Sequence, residues 1–315
     1  MVNNLIYFGV TFLFMIIGLH FFIPLLKRLN FGQPVYELAP ESHQKKQGVP
    51  TLGGLSFIIL ISLLSLLFFG VTDEHLFVLL GMLLFGLIGF MDDLVKISAK
   101  QNQGLSEWQK IILQIVVSIV LVSLVRERAQ SVIVPFMKSP FDLGVLYYPF
   151  GVFFLLALAN SANLTDGVDG LHTSVVIIML AFFGLIVWPN TTSPLFGVVI
   201  VSIAALIGFL LYNRFPAKLF MGDTGSMALG GLIAMFFLIT KTPLFAPFVA
   251  IIYVAESLSV IIQRVYYKRT QKRIFLMAPI HHHFEQMGMS ETMIVVMFSV
   301  ITFVGLVVSL LMYYV

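Results

Sequence analysis

The chain has 315 residues, 59% of them hydrophobic and only 10% charged, with a mean hydropathy of +1.01. A soluble domain carries about 25% charged residues, so the composition excludes a soluble protein and places the chain in a lipid bilayer. A net charge of +3 is too small for a nucleic-acid binder, and the absence of cysteine excludes disulfides and thiolate metal sites.

In chain order, apolar runs predict ten helical spans, at 5–26, 52–71, 76–91, 109–125, 145–162, 171–188, 195–212, 226–240, 244–263 and 292–315. The third, fifth and eighth are short for a bilayer and would borrow length from their flanks or sit where it is thinned. The expected fold is an all-α polytopic membrane protein, a single domain over 1–315. The first run lacks a basic n-region and a small-residue cleavage motif, so it is expected to be a retained helix.

The connections between spans alternate in charge. One set holds fourteen of the eighteen Lys and Arg, including Lys27, Arg28, Lys45, Lys46, Lys96, Lys110, Arg214, Lys218 and the run from Arg264 to Arg273. The other set holds Arg126, Arg128, Lys138 and Lys241. Positive residues accumulate on the cytoplasmic side, so both termini are expected outside. Residues 131–149 alternate β-branched and aromatic residues around a Lys-Ser-Pro turn, which predicts a small external β-hairpin.

Five aspartates lie in three polar breaks that this topology brings to the cytoplasmic face. Asp92 and Asp93 follow GLIGFM at the end of span three, where two adjacent carboxylates can grip one cation or divide two roles. The second break, Asn160 to Leu171, carries an Asp166-Gly-Val-Asp169-Gly core. It resembles half a calcium loop but lacks the ligand spacing and closing Glu of an EF-hand. The third, Asn213 to Ser226, ends in Gly222-Asp223-Thr224-Gly225-Ser226 at the start of span eight. A helix N-terminus there offers free amides to a phosphate. Five carboxylates would repel an anionic substrate, so a divalent cation is expected, and an oxygen-only donor set favours Mg²⁺ or Mn²⁺.

Two further motifs add positive or donor groups. Lys45-Lys46-Gln-Gly48-Val-Pro50-Thr51-Leu-Gly53-Gly54 leads into span two, and its glycines could form an anion-binding nest beside a lysine. His281, His282 and His283 are contiguous within Pro279-Ile-His-His-His-Phe-Glu285. Neighbouring rings diverge, so phosphate or sugar binding is preferred over zinc. His20 and Glu256 sit inside apolar spans and read first as satisfied core residues, with a functional role for Glu256 as the alternative. The basic run ending at Arg273, with Tyr266 and Tyr267, reads as a membrane-surface segment.

Together these motifs resemble the polyprenyl-phosphate N-acetylhexosamine-1-phosphate transferase superfamily over essentially the whole chain. The Lys-x-Gly-x-Pro-Thr-x-Gly-Gly and unbroken His-His-His motifs are similar to its bacterial phospho-N-acetylmuramoyl-pentapeptide transferase branch. The resemblance implies transfer of phospho-MurNAc-pentapeptide from UDP-MurNAc-pentapeptide to undecaprenyl phosphate. The products would be lipid I and UMP, with Mg²⁺ required, at the cytoplasmic face of the bacterial inner membrane and in a homodimer. By motif, it implies Asp92, Asp93, Asp223 and His282 as catalytic groups, with Asp223 and Asp93 on the metal. Lys46, Thr51, Asn163, Asp166, Asp169, Asn213, Phe220, Gln263, His281 and His283 would bind substrate, Phe220 by stacking on uracil. Two rival readings are the same chemistry on UDP-GlcNAc and, in a different class, a divalent-cation transporter. Against the transporter, the aspartates sit in loops on one face, with no matching acidic set opposite.

Overall fold

The computed structural model describes residues 2–29, 31–32, 48–99, 103–137 and 139–315. Twelve helices run through these residues, in chain order α1 Val2–Arg28, α2 Gly54–Phe69, α3 Asp73–Ala99, α4 Glu107–Ala129, α5 Tyr147–Thr165, α6 Leu171–Val187, α7 Pro194–Asn213, α8 Gly222–Ile239, α9 Ala246–Val249, α10 Ile251–Thr270, α11 Ile280–Gln286 and α12 Glu291–Tyr314. Eight of the helical segments are long and apolar enough to cross a membrane; α9 and α10 form a bent pair, and α2 is a shorter apolar helix. Helices dominate because the hydrocarbon core offers no water to backbone amides, and a helix satisfies them within the segment. Local signals set several starts. Ser106 and Gln109 form a reciprocal capping box at α4, and Ser193 and Ser290 cap α7 and α12.

The core centres on α8, every residue of which from Thr224 to Ile239 is buried. It packs along α3 and α5 and touches α2. This closeness needs missing side chains. A Cβ on Gly81 would lie 2.3 Å from Met235, one on Gly54 2.3 Å from the Gly225 Cα, and one on Gly230 2.8 Å from the Ala159 Cα. Small residues that let backbones approach are how helices associate when lipid supplies no hydrophobic drive. α1 and α12 are peripheral, with most of their apolar residues turned outward.

Three expectations need correction. Span three does not stop before the aspartates: α3 runs from Asp73 to Ala99, so Asp92 and Asp93 lie within a helix, both buried. Span nine is not one rod, because α9 (with the turn Pro243–Phe245) and α10 meet at an 82° bend around Ala250. The small hairpin expected within 131–149 is present as two antiparallel pairs, Ser131 with Asp142 and Val132 with Phe141, and the chain from Gly144 onward coils into α5. His20 is not a satisfied core residue; it is exposed, edge-on to Phe21.

Candidate active site

The N-terminus of α8 is built around a carboxylate from a neighbouring helix. Asp93 accepts hydrogen bonds from the Asp223 amide at 3.2 Å, the Thr224 amide at 2.9 Å and the Thr224 hydroxyl at 2.7 Å. An anion there complements the helix dipole and its unsatisfied amides. Two glycines make the approach possible. A Cβ on Gly89, one turn before Asp93, would lie 2.1 Å from the Asp223 carbonyl oxygen. Gly222, at a φ of 72°, leaves space beside Asp93 and Thr51 that a Cβ would fill at 2.5 and 2.8 Å.

With α8 held so, Asp223 turns toward Asp92 across two lysines. Lys96 lies 2.7 Å from Asp92 Oδ2 and 3.0 Å from Asp223 Oδ2. Lys110 lies 2.8 Å from Asp223 Oδ2 and 3.4 Å from Asp92 Oδ1. The Leu105 amide donates to Asp92 at 2.9 Å, and Asn163 Nδ2 donates to Asp223 Oδ1 at 2.9 Å. One oxygen from each of Asp92, Asp93 and Asp223 falls within a mutual 4.8 Å, so the three can hold a metal ion. Three carboxylates against two ammonium groups leave the cluster formally one negative charge, which suits a hard cation.

The other expected residues extend outward from this cluster. Asn163 ends near Asp223 and Ser226, and four residues on, Gly167 faces His281. The α5–α6 loop thus joins the acidic cluster to the histidine helix. Asp166 is half-buried in that loop. Asp169 is buried and accepts from the Ala217 amide at 2.8 Å, while its own amide donates to Glu291. Asn213 is buried between the Thr173 hydroxyl and the Leu219 carbonyl, so it shapes the loop carrying Phe220. Phe220 is half-buried, and its amide donates to the Pro50 carbonyl. Thr51 is buried beside Gly222; Lys45 and Lys46 lie outside the described residues.

The expected anion nest at Gly53 and Gly54 is absent, because their amides donate to the Phe220 and Met221 carbonyls at 2.9 Å each. Those glycines pack α2 against α8 instead. Gln263 clamps the chain after α10, bonding the Phe275 carbonyl and the Ile274 and Phe275 amides. The three histidines take three different partners: Glu256 for His281, Glu285 for His282 and the Leu276 amide for His283. Rings so divided do not converge on one zinc ion.

Sequence reasoning placed Lys96 and Lys110 only among the cytoplasmic charges. Lys96 was findable, four residues after Asp92 and therefore on the same helix face. Lys110 had no local signal, since it arrives from the next helix.

Residues 75–241 match the family described as Glycosyl transferase family 4. The chain is 49% identical over 286 residues to a phospho-N-acetylmuramoyl-pentapeptide-transferase of Clostridium botulinum (strain Eklund 17B / Type B), covering 90% of this chain and 88% of that one. A protein of the same name from Clostridium perfringens (strain 13 / Type A) is 47% identical over 285 residues, covering 90% of each. One from Caldanaerobacter subterraneus subsp. tengcongensis is 45% identical over 303 residues, covering 95% of each.

Proposed function

Because the chain belongs to glycosyl transferase family 4 and, within it, to the phospho-N-acetylmuramoyl-pentapeptide transferases, we propose that it makes lipid I. It transfers phospho-MurNAc-pentapeptide from UDP-MurNAc-pentapeptide to undecaprenyl phosphate and releases UMP, in peptidoglycan synthesis. The observation that carries this is the identity of 49% over 90% of the chain, joined to a metal-competent carboxylate cluster at one end of the helices that form it.

Asp223 and Asp93 would hold Mg²⁺, with Asp92 completing the set. The donor atoms fit, being oxygens alone and close enough to share one ion. When bound, the ion offsets charge on the diphosphate of the nucleotide sugar. Asp93 also fixes the backbone of Asp223, so its first effect is to aim that carboxylate. Lys96 and Lys110 neutralise Asp92 and Asp223 and stand ready to meet the phosphates that approach them. Asn163, Asp166, Asp169, Thr51, Asn213, Gln263 and the three histidines, with Lys46, line or shape the nucleotide-sugar site, and Phe220 stacks on the uracil.

The lipid phosphate has a second pKa of about 6 by analogy with phosphorylated side chains. It is therefore largely a dianion at neutral pH and needs little from a general base. One of its oxygens attacks the β-phosphorus directly. The new phosphorus–oxygen bond forms as the bond to the bridging oxygen breaks, and the electron pair leaves with UMP. Asp92 orients the lipid phosphate or takes its residual proton. Trapping of a phospho-enzyme, or retained configuration at the β-phosphorus, would contradict this one-step course.

On this reading the site faces the cytoplasm from the bacterial inner membrane, as the positive-inside rule favours for the loops rich in Lys and Arg, and the protein works as a homodimer. The test is UMP release by the purified protein in lipid or detergent. Release is expected only with UDP-MurNAc-pentapeptide, undecaprenyl phosphate and Mg²⁺ together, and chelation with EDTA should abolish it reversibly. Release without the polyprenyl acceptor would overturn the transfer.

A further inference from the structure

Glu256 is fully buried within α10, among residues that otherwise read as an apolar span. A carboxylate in such a place is costly and generally has work to do. Its Oε1 lies 3.0 Å from Nδ1 of His281, whose ring is also fully buried. A buried pair of this kind is weak evidence for stability, since packed apolar side chains often do as well. Two atoms of the pair, Glu256 Oε2 and His281 Nε2, have no hydrogen-bond partner among the described residues.

The far edge of the ring points at the aspartate loop. A Cβ built on Gly167 would lie 2.2 Å from His281 Nε2 and 2.7 Å from its Cε1. Gly167 is not among the glycines with positive φ, so its backbone does not demand glycine. What demands it is the space the ring takes. On the other side the His281 and His282 rings lie 4.1 Å apart, so His281 also sets its neighbour.

Resting on the transferase reading, we propose that Glu256 is a positioning residue. It accepts the Nδ1 proton of His281, fixes the tautomer and the ring plane, and presses Nε2 against Gly167. The histidine helix α11 is thereby locked to the Asp166–Asp169 loop, so the two groups that meet the nucleotide sugar move as one body. The lock has three parts (carboxylate, ring and missing side chain), and removing any one should free the other two.

The test is a size exchange read in two ways, by kcat/KM for UMP release and by thermal unfolding of the full-length protein. Gly167→Ala drives a methyl into the ring and should lower kcat/KM about 100-fold, the loss expected from a displacement of about 1 Å near a reacting centre. In a His281→Ala background the space is vacant. The same Gly167→Ala change should then cost no more than about twofold further, within the scatter of independent sites. Glu256→Leu should fall with Gly167→Ala, whereas Glu256→Gln, which keeps an acceptor for Nδ1–H, should recover most of the rate. A Gly167→Ala loss of equal size in both backgrounds, or a Glu256→Leu variant with wild-type kcat/KM, would overturn the lock. Should the wild-type protein release no UMP at all, the transferase reading fails. The unfolding midpoints then decide the lock alone: His281→Ala must relieve the destabilisation by Gly167→Ala, or the lock fails too.

Discussion

Asp223 has an amide donor on one oxygen, two ammonium groups on the other, and a backbone held by Asp93. A divalent cation must therefore compete with Lys96 and Lys110 for the same oxygens. Lys110→Ala removes one competitor and one phosphate-facing charge together. It should lower the Mg²⁺ concentration at half-maximal rate while cutting kcat by about 100-fold, the usual loss for one stabilising donor. A Mg²⁺ titration of UMP release reads both, and a raised Mg²⁺ requirement would contradict the competition. The five aspartates were legible because carboxylates stand out in an oily chain. Glu256 was harder, since a lone acid in a span reads first as a satisfied core residue until its partner, 25 positions away, is seen.

Between elements, the site depends on how closely α3 and α8 approach. Gly89→Ala would put a methyl 2.1 Å from the Asp223 carbonyl, against rigid helix backbone. Overpacking of this sort costs about 1–3 kcal/mol, and here it would also lift Asp223 off Asp93. We expect a lower unfolding midpoint and at least an about 100-fold loss of activity. Gly9→Ala, with nothing within 4 Å of the new methyl, should change neither. Equal behaviour of the two variants would contradict the close-packing account. Element positions were largely readable, because hydropathy marks spans strongly. The break at Ala250 was not: no glycine or proline sits at the bend itself, and α12 presses Gly305 to within contact of the Phe248 carbonyl there. The extension of α3 past Met91 was missed for a related reason. Charges end an apolar run, but α3 continues because its carboxylates find lysines and helix amides.

At the scale of the molecule, and among the described residues, Asp92, Asp93 and Asp223 meet Lys96 and Lys110 at one end of α3 and α4, while Arg128 pairs with Asp73 and Glu74 at the other end of the same two helices. The absence of cysteine makes this orientation simple to test. Ser139→Cys should react with a membrane-impermeant maleimide on intact bacteria, and Lys218→Cys only after permeabilisation. The opposite pattern would place the site outside, away from cytoplasmic UDP-sugars. The most direct test of the transferase account is the turnover of Asp223→Asn beside the wild type, in the UMP-release assay with both substrates and saturating Mg²⁺. The account predicts a fall in kcat of about 1,000-fold or more, with the unfolding midpoint little changed. An Asp223→Asn protein that turns over at close to the wild-type rate would show that the chemistry lies elsewhere.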